Sequence, residues 1–87
     1  MDCQFIISKI SVDLLITVRS EGVKVDAMKH CKYDKSICDI LANSEEMLIS
    51  GYLRKLPSSQ NICNSLVRYY QEKKWVITEV KPGRPTS

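Results

Sequence analysis

The stretch that most restricts the fold runs from Leu53 to Pro85. Leu53-Arg54-Lys55-Leu56-Pro57 closes one helical pattern, because proline lacks an N–H donor and disfavours helix at the residue before it. Ser58 then offers an N-cap. Beyond it Ile62/Cys63, Leu66/Val67 and Tyr70 recur at steps of three or four, the mark of a helix with one buried stripe. Trp75 re-enters the core, Val76-Ile77-Thr78-Glu79-Val80 reads as a strand, and Lys81-Pro82-Gly83-Arg84-Pro85 as a basic turn. The spacing therefore predicts helix, tight turn, a second helix over 58–73, a strand and a basic tip.

Charge singles out the same segment. The 87-residue chain carries a net charge of +3, too little for a polycation that coats nucleic acid. From Arg54 onward, however, seven basic residues face two acidic ones, while residues 1–53 hold six basic and eight acidic. The outer face of the second helix gathers Ser59, Gln60, Asn61, Asn64, Ser65 and Arg68. All of them donate or accept hydrogen bonds and none is acidic, whereas a merely solvated face more often mixes Glu with Lys. Asn and Gln pair with adenine, Arg with guanine, and hydroxyls with phosphates. The proline-flanked tip would let Lys81 and Arg84 reach backbone or a narrow minor groove. Pro82-Gly83-Arg84-Pro85 also resembles the core of an AT-hook, although its flanking basic residues are few.

Upstream, two readings of residues 3–19 compete. Ile7, Ile10, Leu14 and Val18 follow helical spacing, with Asp2 as a cap and Gly22 as a stop. Ile10, Val12, Leu14, Ile16 and Val18 also alternate strictly and are mostly β-branched, leading through Gly22 to Val23 and Val25 as a hairpin would. Residues 24–33 read as a short helix or loop. Asp34 can cap a helix from Lys35 to Ala42 with Ile37, Ile40 and Leu41 inward. Asn43-Ser44 breaks it, and Ser44 caps another with Met47, Leu48, Tyr52 and Leu53 inward.

Chemistry finds little to assemble. Cys3, Cys31, Cys38 and Cys63 show no paired short spacing of the zinc kind, so His30, Cys31 and Cys38 make a poor ligand set. A start without a basic n-region points to a cytoplasmic protein with reduced thiols, leaving Cys31 with Cys38 as the pair most suited to a redox switch. One histidine, no phosphate-binding glycine loop and no paired carboxylates beside a nucleophile point away from an enzyme. Tyr69, Tyr70 and Trp75 read as core rather than as a stacking platform for single strands.

Residues from about 36 to 85 resemble a winged helix-turn-helix domain of the prokaryotic or viral regulator type. Trp75-Val76 matches the hydrophobic pair entering the wing, and Gly83-Arg84-Pro85 matches a wing tip. Lys74 stands where that family usually has glycine, and Ser87 arrives before a full second wing strand. The resemblance implies major-groove contacts from Ser59, Gln60, Asn61, Asn64, Ser65 and Arg68, and a wing contact from Arg84.

The expectation is thus a mainly α single domain, 1–87, with a small C-terminal β-hairpin. An N-terminal element over 1–33, helix or hairpin, would precede a winged helix-turn-helix over 36–85. It would bind double-stranded DNA sequence-specifically as a homodimeric transcriptional regulator, with recognition helix 58–73, wing tip 81–85, and neither metal nor cofactor. The alternative is a protein-interaction or assembly module using the apolar segment 5–18.

Overall fold

In the computed structural model, which describes residues 3–57 and 61–82, the chain begins with a sheet. The elements are β1 (Cys3–Lys9), β2 (Val12–Arg19), β3 (Gly22–Cys31), α1 (Lys35–Arg54), α2 (Ile62–Glu72) and β4 (Val76–Pro82). The four strands form one antiparallel sheet in the order β3-β2-β1-β4. Both helices pack on the same face of it.

Alternation decides the N-terminal third in favour of strands. Cys3, Phe5 and Ile7 on β1, Val12, Leu14, Ile16 and Val18 on β2, and Val25 on β3 are all buried. Their neighbours Gln4, Ile6, Asp13, Leu15 and Thr17 fall on the opposite, open face. A helix would have turned Ile10 inward with Ile7 and Leu14. Instead Ile10 sits at the β1–β2 turn and is 89% exposed. Gly22 opens β3 with φ +146°, a backbone angle that side chains rarely tolerate.

The expected mainly α architecture with a C-terminal β-hairpin is therefore incorrect. β4 pairs not with a following wing strand but with β1, placing Ile77 opposite Ile7 and Thr78 opposite Ile6. Strand β1 would otherwise be an unpaired edge under the hydrophobic core, and β4 supplies its missing hydrogen bonds. The segment 24–33, read as helix or loop, is strand β3, in register with β2 through Val25–Ile16 and Val23–Val18. Within the apolar segment 5–18, the inward residues Phe5, Ile7, Val12, Leu14, Ile16 and Val18 belong to the core, and only the alternate ones, such as Ile6 and Leu15, face outward.

Nor does the chain break at Asn43-Ser44. A single helix of 20 residues crosses the point, because both side chains are exposed and leave the helical backbone bonds undisturbed. α1 lies along β3, and the Glu46 carboxylate accepts from the Val25 N–H at 2.9 Å, blunting the edge of the sheet. α2 begins at Ile62, with the Asn61 side chain accepting from the Asn64 N–H at 3.2 Å. Ser58, expected as its cap, lies outside the described residues.

Two disulfides bolt the layers together. Cys3–Cys63 joins the start of β1 to the first turn of α2, and Cys31–Cys38 joins the end of β3 to the first turn of α1. The reduced thiols expected from the sequence are thus corrected. The spacings between these cysteines hide their proximity, which arises only once the strands and helices are layered.

Candidate functional site

Two faces of the molecule present chemistry to their surroundings. The first is the outer side of α1. Its inner row, Cys38, Ala42 and Ile49, is buried against the sheet. At 3.6 residues per turn, Ile40 stands about 200° round the helix from Ala42. Ile40 is accordingly 62% exposed and Met47 75%, with Ile37 and Leu48 beside them also exposed. The row Ile37, Ile40, Ser44, Met47, Gly51 steps alternately by three and four, the spacing of a helix–helix seam. Ile37, Ile40, Met47 and Leu48 were expected to face inward, and the structure turns them out. Because α1 runs unbroken through Asn43-Ser44, Cys38, Ala42 and Ile49 fall on one line and take the inner row.

The second face is a basic corner where α2 runs out beside the β1–β2 turn. The Lys9 ammonium lies 4.5 Å from the centre of the Trp75 ring, and that of Lys73 is 4.5 Å from the Tyr69 ring. Aromatic faces hold cations in this way without neutralising them. Lys74 ends the helix with φ +72°. Its N–H bonds the Gln71 carbonyl at 3.0 Å while that of Trp75 bonds Tyr70 at 3.0 Å, a left-handed helix cap that glycine more often fills. Ser8, Ile10, Ser11 and Val76 line a shallow hollow between Lys9 and Lys74.

Of the eight residues expected to touch DNA, five lie within the described residues. Asn61, Asn64 and Arg68 do share the exposed side of α2, although the Asn61 oxygen is engaged as the helix cap. Ser65 is only 8% exposed and belongs to the inner side of the helix. Lys81 lies on β4 opposite Gln4, so its backbone is a ladder partner rather than part of a free tip. Ser59, Gln60 and Arg84 lie outside the described residues.

An aromatic and polar seam fixes α1 relative to α2. Tyr52 stacks on Tyr69 with ring centres 4.6 Å apart, and Tyr70 meets Trp75 edge-on at 6.0 Å. The fully buried Tyr70 donates its hydroxyl proton to Glu45 at 2.9 Å. Burial, and then the adjacent carboxylate, push the Tyr70 phenol far above its ordinary 10.0. Tyr70 therefore stays protonated and acts as a structural donor rather than an acid or base.

Metal-ligating side chains do not cluster among the described residues. No group of three or more His, Cys, Asp or Glu side chains converges there, and the four cysteines are consumed by disulfides. His30 Nε2 donates to the Ile10 carbonyl at 3.2 Å, tying β3 to the β1–β2 turn. On the open sheet face, the hollow between Gln4, Thr17, Arg19, Lys24 and Asp26 is lined by charges of both signs. No family model, no curated protein and no solved structure matches the chain.

Proposed function

We propose that this chain is a small protein-association module that binds through the outer face of α1. The observation that carries the reading is the exposure of Ile37, Ile40, Met47 and Leu48 on a helix whose other side already serves the core. Single exposed apolar residues are ordinary, but a contiguous row on one rigid helix marks a binding surface. The stapled scaffold suits this role, since a face held rigid before binding loses less entropy on docking. The two disulfides also favour an oxidising compartment over the cytoplasm. No helix among the described residues is long and apolar enough to cross a membrane.

A second reading, nucleic-acid binding, rests on the basic corner. Lys9 and Lys73 are held over aromatic rings, Lys74 is exposed at the same corner, and Arg68 is exposed further back along α2. Without a winged helix, such binding would be mainly to phosphates and weakly selective for sequence.

Titrations with an amphipathic helical peptide bearing a leucine-rich seam, and with random duplex DNA at low and moderate salt, separate the two. The association reading expects saturable peptide binding with a negative heat-capacity change, abolished in Ile40→Glu/Met47→Glu. Duplex binding that falls steeply with salt and is unchanged in that variant, with no peptide binding, would transfer the function to the basic corner.

A further inference from the structure

Resting on the reading of α1 as a binding face, we infer that its partner is a second copy of this chain, docked with the two α1 helices antiparallel. The seam is self-complementary in that direction. Pairing an outer position of one helix with the alternate position of the other sets Gly51 against Ile40 of the second copy and Ser44 against Met47. Each small residue then receives a large one, and Leu41 meets Leu48 alongside. A parallel pairing would set Gly51 on Gly51 and Ser44 on Ser44, leaving gaps between the helices at both layers.

Charge selects the same direction. Asp34 stands at the N-terminal end of the seam and Lys55 at the C-terminal end, both exposed. The Asp34 carboxylate makes no capping bond to its own helix, so it is available for a neighbour. Antiparallel docking brings Asp34 of each copy to Lys55 of the other and opposes the helix dipoles. Parallel docking would put like charges together at both ends. The interface would be isologous and closed, as a two-fold dimer requires.

Gly51 adds an independent sign. Glycine weakens a helix interior, yet a Cβ built at Gly51 would meet nothing within 4 Å. Nothing within the described chain asks for glycine there, whereas close approach of a second helix does.

Sedimentation velocity across a concentration series tests the inference. The wild-type chain is expected to shift from monomer to dimer. Gly51→Leu should hold it monomeric with its circular dichroism spectrum unchanged, because a Cβ there meets nothing within 4 Å, and should make its melting temperature independent of concentration. Asp34→Lys should weaken dimerisation by roughly tenfold, the scale of two exposed ion pairs replaced by repulsion. Asp34→Lys combined with Lys55→Asp should restore it. A wild-type chain that stays monomeric at every concentration overturns self-association while leaving α1 to a foreign helix. A dimer that survives Gly51→Leu and Ile40→Glu together overturns the inference by placing self-association on another face, while the α1 reading still stands or falls on the peptide titration.

Discussion

The two disulfides should differ in value, and the difference follows from ring size. Cys3–Cys63 spans 60 positions and Cys31–Cys38 spans 7. If cross-links act by restricting the unfolded chain, their contributions come to about 4.3 and about 2.4 kcal/mol respectively. Packing losses should nearly cancel in the comparison. Each bridge joins one buried sulfur, Cys3 or Cys38, to one half-buried sulfur, Cys63 or Cys31. The double variants Cys3→Ala/Cys63→Ala and Cys31→Ala/Cys38→Ala can be unfolded in urea under non-reducing conditions beside the wild type, after intact mass confirms the remaining bridge. The long-ring variant should be the weaker by about 2 kcal/mol, a large share of the roughly 5–15 kcal/mol typical of a domain. Equal losses, or a greater loss from the short ring, would refute the entropic reasoning and place the value of these bridges in native packing.

Other perturbations probe single contacts. Tyr70→Phe removes the hydroxyl that reaches Glu45 at 2.9 Å and should cost about 1–2 kcal/mol in denaturant unfolding, since the half-buried carboxylate recovers some hydration. The raised Tyr70 pKa means the folded state holds its proton more tightly than the unfolded state. Its contribution is therefore full below the ordinary 10.0 and is lost as pH rises above that value. Melting temperatures of wild type and Tyr70→Phe should accordingly converge in strongly alkaline buffer. Lys74→Gly relieves a left-handed backbone at φ +72° and should raise stability by about 0.5–1 kcal/mol, the strain released less the added chain entropy. Glu46→Ala uncovers the Val25 N–H at the sheet edge and should speed its hydrogen exchange, with a stability loss of about 1 kcal/mol.

Local patterns carried some of this fold and long-range ones did not. The Ile62, Leu66, Tyr70 spacing marked α2, and Trp75 was correctly read as turning back to the core, because both follow from neighbours in sequence. The strict alternation of Val12 to Val18 was visible too, but Ile7, Ile10, Leu14 and Val18 imitate a helix over the same residues. Only the burial of β2 between β1 and β3 separates the two readings. The β1–β4 pairing was invisible, since Ile7 and Ile77 show no local sign of each other. The strand signal at 76–80 therefore suggested a wing. On α1, two apolar rows overlap in one helix, and a pattern cannot say which row meets the sheet. The outer face of α2 was partly legible, but Ser65 shows that position on a helical stripe does not settle burial at its margin.

The neighbouring first and last strands carry a kinetic consequence. Cys3 lies opposite Pro82, so the sheet is closed by contacts between residues almost a full chain apart. The β1–β2–β3 meander can zip from its turns, and the Cys31–Cys38 ring can close as soon as α1 begins to form. β4 has no such local route, and its docking must await the collapse of everything between. Long-range pairing of this kind slows folding relative to a helical domain of equal size. In refolding from the reduced state, the short disulfide should appear first, with Cys3–Cys63 locking only as β4 completes the sheet.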